Sequence, residues 1–223
     1  MSPNEKNRIL IAHSGDETMN EKLRVVGICG SLREGSYTRL ALTVALGGAA
    51  EAGMQTQLID LRKYQLAFCD GGDDEKLPKD VQRLRDEVKA AKGIILATPE
   101  YHGAYSGVLK NALDLMGFDE FEGKMIGLVG VSGGATGALA ALNSLRTVGR
   151  AIHAWVVPEQ VAIPHVHDVF DEKGRCTDND IEKRLKSLGR QVAKFASLHN
   201  SEQAREFLKL WEGAPSNPGG EDR

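Results

Sequence analysis

From residue 24 onward, short apolar runs of strand length alternate with longer stretches of helical period, and few folds accept that alternation. It is the pattern of a parallel sheet with helices on both faces, a doubly wound, three-layer α/β/α architecture. Five strands are predicted: Arg24–Cys29, Gln55–Asp60, 93–98, 124–131 and 152–157, the last resuming at 160–163 beyond Pro158, which cannot donate to a ladder. Between them, helices are predicted over 36–52, with Ala41, Val44, Ala45 and Gly48 inward and Gly53 as the stop, and from Pro78 with Val81, Leu84, Val88 and Ala91 on one face. Further helices are predicted over 104–116, where Tyr105, Leu109, Ala112, Leu113 and Met116 form the stripe, and over 136–150. A last long helix starts at Asp178, with Ile181, Leu185, Leu188, Val192 and Phe195 inward.

At 223 residues the chain suits one sizeable α/β domain, expected over 24–200, with a polar extension before it at 1–23. After it, a short helix through Trp211 and a disordered tail over 214–223 are expected. The net charge of −3 and the lack of any long Lys/Arg run argue against nucleic acid as a partner. No apolar run approaches the roughly 18 residues of a membrane helix, and the acidic N-terminal stretch does not read as a signal or transit peptide, so a cytoplasmic location is expected. The cysteines Cys29, Cys69 and Cys176 are widely spaced without a CxxC pair, which implies neither a disulfide framework nor a zinc site. His165 and His167 with Asp168 read as a solvated loop, not as metal ligands.

In an open sheet of this kind a ligand sits beyond the carboxyl ends of the strands, where the strand order reverses. Three loops fall there. The first, Gly30-Ser31-Leu32-Arg33-Glu34-Gly35-Ser36-Tyr37-Thr38, runs from strand to helix, so an anion would meet free N–H groups and the positive end of the helix dipole. The P-loop lysine is missing after Gly35, and Gly27 and Gly30 do not complete a dinucleotide fingerprint, which disfavours an NTPase and a Rossmann site. A hydroxyl-rich loop suits one terminal monophosphate, as in FMN. The second loop, Pro99-Glu100-Tyr101-His102, offers aromatic surface and backbone amides to a flat heteroaromatic ring. In the third, Ser132-Gly133-Gly134, glycines let the backbone approach a ligand and aim amides at its polar edge.

Taken in order, Gly30-Ser31-Leu32-Arg33 with Gly35-Ser36, then Pro99-Glu100-Tyr101, then Leu109-Lys110-Asn111-Ala112-x-Asp114 resemble the NADPH-dependent FMN reductase family, which includes quinone, azo-dye and chromate reductases. The resemblance covers about residues 24–198 and implies a flavodoxin-like fold. It implies that the first loop, through Ser31, Arg33, Ser36, Tyr37 and Thr38, holds the FMN phosphate. The isoalloxazine then falls to Pro99, Glu100, Tyr101 and His102 and to Ser132, Gly133 and Gly134. It further implies NADPH or NADH as co-substrate, a small-molecule acceptor, and dimers or tetramers built partly on the Lys110–Asp114 helix. Thr38 and His102 stand where many relatives carry Asn. Because the cofactor carries the redox chemistry, no catalytic acid, base or nucleophile is expected, and turnover by a ping-pong route follows. The alternatives are a flavodoxin-type electron carrier and a flavin-based redox sensor.

Overall fold

The computed structural model describes residues 23–72 and 76–212; the expected extension before Leu23 and the expected disorder over 214–223 lie outside the described residues. The strands are β1 (Arg24–Cys29), β2 (Gln55–Asp60), β3 (Gly93–Tyr101), β4 (Ala104–Tyr105), β5 (Met125–Val131) and β6 (Trp155–Ile163). The helices are α1 (Tyr37–Glu51), α2 (Lys79–Lys89), α3 (Gly107–Asp114), α4 (Phe118–Phe121), α5 (Leu139–Ala151), α6 (Asn179–His199) and α7 (Glu202–Glu212).

The five long strands form a parallel sheet of order β2-β1-β3-β5-β6. Along β1, Val25 and Cys29 enter the core under α1 and α6, while Val26 and Ile28 enter the opposite core under α2, α3 and α5. β3 and β5 repeat the division, with Ile95, Ala97 and Val129 on the first side and Ile94, Leu96 and Leu128 on the second. Both faces of the central strands are therefore dry, which is why their sequences are apolar at successive positions. From β1 the order steps one way to β2 and the other way to β3, so the crevice at the switch lies between the loops that follow β1 and β3.

Three expectations need correction. β3 does not stop at Thr98: it runs through Pro99 to Tyr101 and turns back, Glu100 pairing with Tyr105 and Tyr101 with Ala104 in an antiparallel hairpin. Tyr105 therefore sits on a strand, and the following helix begins only at Gly107, capped by Ser106, whose Oγ accepts from the Leu109 N–H at 3.2 Å. α5 begins at Leu139 and not near 136, because Gly137 and Ala138 both take positive φ (64° and 65°). Finally, Ile152 closes α5, and β6 runs from Trp155 straight past Pro158, with the β5–β6 register shifting between Ile126 and Leu128 to absorb it.

The irregular stretch after β2 is pinned by α3. The Asn111 side chain accepts from the Cys69 N–H and donates to the Ala67 carbonyl, both at 2.9 Å, while Lys110 and Asp114 pair one turn apart at 2.6 Å. The nearly buried Lys124 donates to the Val88 and Lys89 carbonyls at the end of α2, and burial pushes its pKa down to about 8.

Candidate functional site

At the carboxyl end of the sheet the three loops converge on one cleft of about 240 Å³. Its walls include Ser31, Arg33, Gly35, Ser36, Tyr37 and Thr38 from the first loop and the start of α1, Pro99, Glu100 and Tyr101 from the hairpin, and Ser132 and Gly133 from the loop after β5. Two of the predicted residues do not line it. Gly134 lies one position beyond the wall, and His102 occupies the hairpin tip.

The first loop is built for an anion. Ser36 caps α1: its Oγ accepts from the Arg39 N–H at 3.3 Å, which leaves the hydroxyl proton free for another partner. Ser31 Oγ likewise accepts from the Arg33 N–H at 3.4 Å. Helix geometry gives the N–H groups of Tyr37 and Thr38 no intrahelical acceptor, and no acidic residue stands in the first turn of α1 to compete for them. Ser31, Ser36 and Thr38 are all nearly buried, while Arg33 is exposed at the rim. A buried trio of hydroxyls, open helix-terminal amides and one exposed cation fit a phosphate monoester.

The loop is also fixed from behind. The Gly30 N–H donates to the Ala97 carbonyl at 2.8 Å, and Ser106 Oγ donates to the Gly30 carbonyl, tying the start of the first loop to β3 and α3.

In the hairpin the structure gives His102 and Glu100 a structural part. His102 and Gly103 have φ of 52° and 77°, the positive pair that a two-residue type I′ turn demands and that Asn-Gly satisfies best. That conformation would suit an Asn equally, and His102 reads as a turn residue outside the cleft. Glu100 is no solvated charge: its Oε2 accepts from the Ala141 N–H at 3.1 Å, at the start of a helix whose own N-cap, Ala138, has no capping side chain. Glu100→Ala should therefore cost about 1–2 kcal/mol in urea unfolding, and Glu100→Gln, which keeps a neutral acceptor, less than half of that. Equal stability of the three proteins would show that the cap is not formed in solution.

The third loop is held by the segment after β6. The Val166 N–H donates to the Ser132 carbonyl at 3.1 Å, the His165 N–H to the Gly134 carbonyl at 3.2 Å, and Ser132 Oγ accepts from the Gly134 N–H at 3.0 Å. This brings His167 into the cleft wall, its ring edge-on to Tyr37 at 5.2 Å between centroids. The sequence pattern places His167 in a solvated loop; it is exposed, yet it borders the site. Its position just past the carboxyl end of β6 was the available signal. Among the described residues no group of three or more His, Cys, Asp or Glu is placed to hold a metal ion.

A doubly wound parallel sheet with an acid-free, hydroxyl-lined helix N-terminus at its switch point defines a flavodoxin-like protein. The chain belongs to the NADPH-dependent FMN reductase family, whose profile matches residues 23–168. It is 35% identical over 187 residues to an NAD(P)H-dependent FMN reductase of Pseudomonas aeruginosa, covering 76% of this chain and 95% of that one. It is 37% identical over 134 residues to an NADPH azoreductase of Bacillus sp. (strain OY1-2), covering 59% and 75%. Among solved structures, FerB, a flavoenzyme NAD(P)H:(acceptor) oxidoreductase from Paracoccus denitrificans, is similar at a TM-score of 0.65 and 25% identity, covering 80% of this chain and 98% of that one. An archaeal flavodoxin shares the fold at a TM-score of 0.55 and 13% identity, over 78% and 99%.

Proposed function

We propose that the cleft is the FMN site of an NAD(P)H-dependent reductase acting on a small acceptor such as a quinone, a free flavin, an azo compound or a metal oxyanion. The observation that carries this reading is the set of hydroxyls and open amides at the α1 N-terminus, facing an aromatic hairpin and a glycine-containing loop across one cleft. FMN held there would supply the redox chemistry, hydride acceptance from the nicotinamide and electron release to the acceptor.

The protein's part is binding and orientation. Ser31, Ser36, Thr38 and the first amides of α1 hold the phosphate, and Arg33 adds a charge at the rim. Pro99, Tyr101 and the hairpin backbone, with the Ser132–Gly134 backbone, would hold the ring system. Tyr101 is 42% exposed, so the hairpin side of the cleft faces solvent, where a planar substrate has access.

The same proposal takes residues 24–200 as the FMN-binding unit and has the chain self-associate as a dimer or tetramer built in part on the Lys110–Asp114 helix, a reading supported by the resemblance of that segment alone. Among the described residues no helix is long and apolar enough to cross a membrane. A cytoplasmic location forms part of the same proposal.

Purified protein is expected to take up one FMN per chain and to bleach on anaerobic addition of NADPH. Arg33→Ala should weaken FMN binding by about 1.5–3 kcal/mol, the range of a charge-assisted hydrogen bond, without moving the thermal melt of the flavin-free protein. Unchanged affinity would place Arg33 in solvent and leave the phosphate to the neutral donors. Bound flavin that NADPH fails to bleach would mark an electron carrier or a sensor in place of a reductase.

A further inference from the structure

Behind the first loop lies Arg39, in the first turn of α1 and absent from the cleft wall. Its guanidinium makes four hydrogen bonds to two consecutive carbonyls of that loop: Nη1 and Nη2 donate to Arg33 O at 3.1 and 2.7 Å and to Glu34 O at 3.3 and 2.9 Å. Its Nε stands 3.7 Å from Oδ2 of Asp60, a carboxylate at the end of β2 that is only 4% exposed. Asp60 is itself gripped by the forked guanidinium of Arg62, which holds its carboxyl below the usual carboxylate range.

A planar trans peptide points its carbonyl and the following N–H in opposite directions. With the Arg33 and Glu34 carbonyls drawn to Arg39, the N–H groups of Glu34 and Gly35 are turned to the other side of the loop, where Gly35 lines the cleft. We propose that Arg39, anchored on the buried Asp60, is a positioning residue that shapes the 30–36 loop into an anion cradle by holding two carbonyls behind it and so presenting two amides in front. The proposal rests on the reading of this loop as the FMN phosphate site. It requires the flat fork of a guanidinium, since a lysine carries the charge but cannot bridge both carbonyls with the same geometry.

The test compares FMN with riboflavin, which lacks the phosphate, by fluorescence titration of the full-length protein and of Arg39→Lys and Arg39→Met. Wild type should prefer FMN; if it binds both flavins equally, the phosphate reading itself fails, whatever the variants do. Given a wild-type preference, both variants should lose roughly tenfold or more of FMN affinity with riboflavin affinity within about twofold. Retention of the full preference by Arg39→Lys would reduce Arg39 to a simple charge and overturn the proposal. A parallel loss of both flavins would overturn it too, since it would reflect general loosening of the fold. The melting temperature of each variant, read beside the titration, separates that outcome from a specific loss.

Discussion

Gly189→Ala should lower stability by about 3–5 kcal/mol and the melting temperature by roughly 10 °C, although it adds a single methyl group to a helix. α1 and α6 touch backbone to backbone: a Cβ at Gly189 would stand 1.9 Å from the Ala45 carbonyl oxygen, and one at Gly48 would stand 2.2 Å from that of Lys186. A clash with a flexible side-chain tip is relieved by a rotamer change, but two helix backbones yield only by moving apart. That would open the core formed by Ala41, Ala45, Leu185 and Leu188 against the sheet. The contrast lies one residue from Gly48. A Cβ at Gly47 meets nothing within 4 Å, so Gly47→Ala should gain about 0.5–1 kcal/mol from helix propensity alone. Urea and thermal unfolding of the two variants read the difference. Melts of Gly189→Ala within a degree or two of wild type would mean that the helices do not approach this closely in solution.

Removing FMN should abolish NADPH oxidation with every acceptor, by more than about a thousandfold, and adding it back should restore the rate, because the hydride chemistry belongs to the cofactor. Substituting the ionisable groups around the cleft should do far less. Glu100 is committed to the start of α5, His102 shapes a turn outside the cleft, and His167 packs edge-on against Tyr37. Glu100→Gln, His102→Asn and His167→Asn should therefore each keep turnover within about tenfold, whereas deleting a catalytic nucleophile costs around a millionfold. If one cleft serves donor and acceptor in turn, as proposed, reciprocal plots against NADPH at several quinone concentrations should be parallel. Intersecting lines would reveal a second pocket, and a variant that stays yellow yet loses turnover would expose an acid–base residue unaccounted for here.

Much of this molecule was legible in its sequence. The apolar runs marked the three central strands, β1, β3 and β5, because residues buried on both faces must be apolar whatever packs on them. Ser36 and Asp178 announced their helices because a capping side chain acts within three residues of itself, and Pro78 announced its own because its fixed φ suits a helix start. The three loops that line the cleft were found by topology, since any doubly wound sheet gathers such loops at one end.

Tertiary structure decided what depends on partners distant in sequence. The hairpin over Glu100–Tyr105 was read as loop and helix because Ala104 and Tyr105 continue a helical stripe, and only pairing with β3 fixes them as a strand. Glu100 finds its amide forty-one residues away, Arg39 its anchor at the end of β2, and His167 its place beside Tyr37. Periodicity and capping report forces that act within a turn or a strand, so they fix the elements and the order of the loops. A long-range hydrogen bond or a backbone-to-backbone approach such as Gly48 against α6 exists only once the sheet has brought those elements together, and no local pattern records it.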